Sequence, residues 1–143
     1  MERHSGCGTV AIVVGSRSDL PYAEKALQVL REAGVEATVH VYSAHRTPKE
    51  LDAFLEECRD KTRVYIAMAG LSAALPGYIA SRTHQPVIGV PLPVGPLNGV
   101  DALLAIAQMP RGVPVATVGI GAAENAALLA LRILRSTTGQ REV

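Results

Sequence analysis

Val35-Glu36-Ala37-Thr38-Val39-His40-Val41-Tyr42-Ser43-Ala44-His45-Arg46-Thr47-Pro48 is the stretch whose reading decides the fold. Its first eight residues alternate with period two and place Val35, Ala37, Val39 and Val41 on one face, as a half-buried strand does. Thr47, Pro48 and Glu50 then read as N-cap, first helical residue and capping-box partner. A strand therefore passes into a helix across a short turn that holds a histidine beside an arginine. The same unit recurs along the chain. Strand-like runs cover 9–14, 35–42, 63–69, 86–91 and 113–119, and helix-like spacing covers 20–33, 48–58, 72–83, 100–108 and 122–134. Gly34 is placed to end the first helix. This alternation predicts an α/β fold, a three-layer αβα sandwich around a parallel sheet. Right-handed crossovers bring all the strand ends to one edge, where ligands bind.

The bulk properties narrow the function. A chain of 143 residues forms one domain with a real core, and its 48% hydrophobic content with one Phe, four Tyr and no Trp points to packed Ala, Val, Leu and Ile. A net charge of +1 and the scarcity of aromatic stacking platforms argue against nucleic acid as a partner. Cys7 and Cys58 suggest neither a disulfide framework nor a redox pair, so a reducing cytoplasm is the expected location. No apolar run approaches bilayer length, and residues 1–8 lack a signal-peptide core, so no membrane partner is expected. The reading makes 1–8 a flexible leader and 9–143 a single catalytic domain without internal repeats.

Small or polar residues follow every strand. Gly15, Ser16 and Ser18 could offer backbone N–H groups and hydroxyls to a phosphate at a helix start, or form an ordinary N-cap turn with Ser18 or Asp19 as cap. Phosphate would repel Asp19, which suits a sugar hydroxyl or ring amine. In the turn Ser43, Ala44, His45 and Arg46, an imidazole that titrates near neutrality suits proton transfer, and Arg46 can pair with a phosphate or carboxylate. The bland alternatives are a structural histidine and a solvated arginine. Gly70, Leu71, Ser72 and Leu75 form a small-residue loop with room for backbone to approach a ligand, though tight helix–sheet packing explains the glycine as well. Residues 108–112 could deliver a second cation or form a polar turn. Gly119-Ile120-Gly121 lacks the third glycine of a dinucleotide fingerprint, and His4, His40 and His84 share no metal-ligand spacing, so no metal is expected.

Taken together, residues 10–19, 43–48, 75–77, 87–111 and 125–129 resemble the PurE family, the small enzymes of purine biosynthesis that form 4-carboxy-5-aminoimidazole ribonucleotide. The resemblance covers nearly the whole chain after the leader, and its Gly-Ser-x-Ser-Asp and Ser-Ala-His-Arg-Thr motifs are specific in combination. It implies a flavodoxin-like fold, a homo-octamer and no cofactor. It also implies that Ser16, Asp19 and Arg46 bind the nucleotide and that His45 is the general acid/base. Members are of two classes: carboxylases that add CO2 directly to aminoimidazole ribonucleotide, and mutases that rearrange 5-(carboxyamino)imidazole ribonucleotide. Mutases carry a histidine where this chain has Ala74, whereas Arg46, Pro76 and residues 98–101 and 109–112 look mutase-like. The loop favours direct CO2 use, with the mutase as the alternative. The chain also stops soon after its last core helix, where relatives run on into a helix that meets neighbouring subunits. Outside the family, a flavin carrier would need aromatic residues at the crevice, and a phosphoacceptor module would need an aspartate where Gly70 stands. A non-catalytic nucleotide-binding module remains as a rival.

Overall fold

The computed structural model describes residues 6–138. Five strands, β1 (Val10–Val14), β2 (Ala37–Val41), β3 (Val64–Ala69), β4 (Val87–Pro91) and β5 (Ala116–Thr117), form one sheet in the order β2-β1-β3-β4-β5. Every pairing is parallel; Ile12, for instance, lies between Val39 and Ile66. β1 has no exposed residue because helices cover both faces of the sheet, which is why it reads as a continuous apolar run. α1 (Leu20–Glu32) and α5 (Ala123–Thr138) cover one face, where Ala23, Ala26, Ala126, Ala127 and Ala130 join a core with Ile12, Ile66 and Ile88. α2 (Pro48–Glu57), α3 (Leu75–Ala80) and α4 (Val100–Ala107) share the other core with Tyr65 and Ala67. The fold class is the expected flavodoxin-like α/β sandwich.

Local chemistry explains the boundaries. Gly34, at φ +76°, ends α1 in a Schellman motif: its N–H donates to the Arg31 carbonyl (2.9 Å), and that of Val35 to Leu30 (3.0 Å). α3 begins at Leu75, three residues later than the pattern suggested, because Leu71 and Ala73 are in the left-handed region and cannot continue a helix. β5 shrinks from the expected 113–119 to two residues at the sheet edge, just after Pro114. β2 is covered on both faces, so His40 and Thr38 are buried with a 2.8 Å hydrogen bond between them, and the His40 ring lies 4.1 Å from that of Phe54.

The two cysteines contradict their expected independence. Cys7 and Cys58 form a disulfide with Cα atoms 5.4 Å apart. α2 returns antiparallel to the strands, so its C-terminal Cys58 arrives where the chain enters β1, an adjacency that 51 residues of sequence conceal. Beside it, the Thr62 hydroxyl donates to the Gly8 carbonyl (2.8 Å). Of the expected leader, residues 1–5 lie outside the described residues, whereas Cys7 and Gly8 are tied to the body of the domain. Among the described residues no helix is long and apolar enough to cross a membrane.

Opening this disulfide frees a long loop in the unfolded chain, so reduction is expected to cost about 2–4 kcal/mol. Thermal scans with and without a thiol reductant, alongside Cys7→Ser, provide the check. Identical melting of all three samples would show that the bond adds nothing.

Candidate active site

Three loops leave the carboxyl ends of β1, β2 and β3. β1 and β3 are neighbours whose connections depart to opposite faces, α1 to one and α3 to the other, and they leave a crevice at the topological switch point. In the first loop, Ser16 is extended and its hydroxyl caps a single 3-10 turn (Arg17–Asp19), accepting from the Ser18 N–H (3.4 Å) and lying 3.0 Å from the Ser18 hydroxyl. Ser16 therefore makes the side-chain cap of this turn, while Asp19 stands at the N-cap position of α1 without a side-chain cap bond. Asp19 is 9% exposed, and burial pushes its carboxyl pKa up, opposed by the Arg46 charge and a backbone hydrogen bond.

In the second loop, Thr47 turns back instead of capping α2. Its hydroxyl accepts from the Ser43 N–H (2.8 Å) and donates to the Ser43 carbonyl (3.3 Å), so the expected capping box does not form. The Thr47 N–H bonds the same carbonyl (2.9 Å), and the Arg46 N–H donates to the Ser43 hydroxyl (3.1 Å). These bonds close a rigid turn that leaves His45 exposed at its crest. Arg46 reaches across to the first loop, where its Nη2 donates to the Gly15 carbonyl (2.9 Å).

The third loop runs from Gly70 to Ala74. Leu71 (φ 57°) and Ala73 (φ 39°) adopt left-handed backbones, each costing on the order of 1 kcal/mol and retained where the surroundings over-determine them. Gly70 does not leave its side open to a ligand. A Cβ there would meet Val94 at 2.8 Å, so the glycine admits the loop after β4.

Together these walls enclose a cleft of about 470 Å³ lined by Gly15, Ser16, Ser18, Asp19, Ser43, Ala44, His45, Arg46, Gly70, Leu71, Ser72 and Leu75, every residue named as a candidate from the sequence. Ala69, Ala73, Ala74 and Val94 complete it. Val94 was missing from that set because a valine in a loop carries no chemical signal; its apolar contribution exists only once Gly70 receives it. Residues 108–112 follow α4 to the opposite edge of the sheet and supply the cleft with no cation. Gly112 and His84 line a separate cavity there, and Ile120 of the Gly119–Gly121 segment packs against Gly99. His4 lies outside the described residues. Among those described, no cluster of three His, Cys, Asp or Glu could hold a metal ion. The cleft thus carries a hydroxyl, carboxylate and guanidinium lining together with an apolar one, and His45 is exposed on its turn.

The AIR carboxylase family model matches residues 9–142. A protein of Saccharolobus solfataricus named N5-carboxyaminoimidazole ribonucleotide mutase is 52% identical over 126 residues, covering 87% of this chain and 80% of its own length. A protein of the same name from Methanocaldococcus jannaschii is 54% identical over 125 residues, covering 87% and 78%. The crystal structure of Treponema denticola PurE superposes with a TM-score of 0.82 at 35% identity, covering 89% of this chain and 80% of that one.

The raised pKa of Asp19 fixes the sign of a pH effect. Folding favours the neutral carboxyl, so the destabilisation from ionising it is absent where both states are protonated and grows as pH rises through the carboxylate range. Asp19→Asn is therefore expected to raise Tm at neutral pH, with the gain fading as the solution is acidified. A lower Tm at neutral pH would mean that the charge is stabilising.

Proposed function

This chain belongs to the AIR carboxylase family, and on that premise we propose that it is a mutase of purine biosynthesis that converts 5-(carboxyamino)imidazole ribonucleotide to 4-carboxy-5-aminoimidazole ribonucleotide. The observation that carries the reading is the gathering of His45 and its companion residues from three loops in one cleft, in a chain about half identical to proteins named as mutases. Those names favour rearrangement over the direct carboxylation that the loop around Ala74 suggested.

The geometry supports the following roles. Gly15, Ser16, Ser18 and Arg46 offer donors to the phosphate and ribose, and Asp19 accepts from a hydroxyl or ring amine. His45 gives a proton to N5 as the carbamate C–N bond breaks, releasing CO2 and leaving aminoimidazole ribonucleotide. The apolar wall of Gly70, Leu71, Ser72, Leu75, Ala74 and Val94 retains CO2 beside C4, whose enamine electrons form the new C–C bond. The adduct still carries a proton at C4, and His45 removes it to restore aromaticity. No net proton or electron is consumed, and the reaction calls for no cofactor.

The specific observation for the second reading, direct use of dissolved CO2, is Ala74, which lines the cleft with a methyl where the resemblance gives mutases a histidine. A homo-oligomer, an octamer by the same resemblance, is supported by α4. That helix is apolar almost all round, and Val100 and Leu104 are 52% and 56% exposed on it, a pattern that suits burial against another subunit. The Cys7–Cys58 disulfide removes the free-thiol ground for a reducing cytoplasm, and the cytoplasmic reading rests instead on an enzyme that handles a phosphorylated intermediate.

His45→Asn keeps side-chain shape but removes the proton carrier, and is expected to lower turnover on the order of 10²–10⁴-fold while nucleotide still binds. Turnover within a few-fold of the parent would remove His45 from the mechanism. Carbon-labelled bicarbonate with carbonic anhydrase separates the classes. A mutase keeps the carbamate's own carbon at early times; full incorporation of the solution label instead would establish direct carboxylation.

A further inference from the structure

We propose that Asp52, Tyr78 and Arg82 form a positioning strut that sets the width of the cleft between the His45 turn and the Gly70–Ala74 loop. The inference rests on the reading of His45 as the proton carrier. α2 starts immediately after the His45 turn, and α3 starts where the Gly70–Ala74 loop ends, so the lateral spacing of the two helices is also the spacing of two cleft walls. Their apolar faces, with Leu51, Phe54 and Leu55 on one and Leu75 and Ile79 on the other, are buried against the sheet. That burial fixes how high each helix rides, and directional contacts between the two helices add to what core packing sets for their sideways separation. Neither helix has a side-chain cap to anchor its first turn.

Directional contacts across the gap come from this cluster. The Tyr78 phenol donates to Asp52 Oδ1 at 2.7 Å, and Arg82 Nε donates to the same oxygen at 3.3 Å. The guanidinium also lies 4.8 Å from the centre of the Tyr78 ring, so each of the three groups holds the other two. The Asp52–Arg82 pair is about half exposed and weak on its own. The charge-assisted phenol bond, short and made to an acceptor one helical turn from Pro48, gives the cluster its geometric selectivity. None of the three residues lines the cleft, so they act through the helices and not on the substrate.

Tyr78→Phe deletes only the hydroxyl, and Asp52→Asn only the charge. Misplacement of a reacting group by about 1 Å can cost on the order of 100-fold, so a smaller drift should lower kcat roughly 3–10-fold with KM and Tm little changed. The double variant should lose no more than the worse single one, because both changes act on one oxygen. The imidazole resonances of His45, assigned by their loss in His45→Asn, should shift or broaden in Tyr78→Phe without substrate present. Parent-like kcat and imidazole signals in both single variants would overturn the strut, as would a double variant whose loss is the product of the two. If the parent itself converts no nucleotide, the functional reading fails, and the imidazole signals alone decide: moved supports the strut, unmoved rejects it.

Discussion

The parallel backbone ladder between β1 and β3 is the constraint on which the rest of the molecule depends. It runs in register from Val10 opposite Val64 to Val14 opposite Met68, with both strands buried on both faces. A strand in that position can be satisfied only by backbone partners on each side and helices above and below. The three-layer architecture follows from that demand. So does the cleft, because β1 and β3 are neighbours whose connections depart to opposite faces, α1 to one and α3 to the other.

Around this frame the carboxyl edge departs from what stability alone would choose. A buried carboxylate at Asp19, left-handed backbone at Leu71 and Ala73, and a histidine lifted onto an exposed turn are each unfavourable or neutral for folding. The opposite edge looks different, with the Cys7–Cys58 bond and the buried Thr62–Gly8 contact reinforcing the entry to β1. Unfavourable local choices concentrated at one edge, with reinforcement at the other, are what a site held open for a ligand requires.

The first and second loops are coupled before any ligand arrives. Arg46 bonds the Gly15 carbonyl while its charge faces Asp19, so a guanidinium, a carboxylate and the Ser16–Ser18 hydroxyl pair are arranged as one unit. The third wall is different in kind, with small and apolar side chains and Val94 seated over Gly70. A polar anchor beside a low-polarity chamber suits a charged nucleotide that exchanges a small neutral gas, since loss of a carboxylate's charge is favoured where water is excluded.

The fold was legible because its signals are local: period-two alternation for β2, a glycine that only a left-handed stop explains at Gly34, and apolar runs at the doubly covered strands. The twelve candidate site residues were legible because strand-to-helix junctions in a parallel sheet necessarily meet at one edge. Contacts between segments distant in sequence were not legible. The Cys7–Cys58 pairing, the seat that Gly70 makes for Val94 and the Asp52–Tyr78–Arg82 cluster each depend on how two elements are placed in space. The sequence by itself determined which elements form and in what order they alternate, since propensity and periodicity act over neighbouring residues. Only the tertiary structure decided which side chains meet, because helix placement over the sheet is set by the packing of the whole core at once.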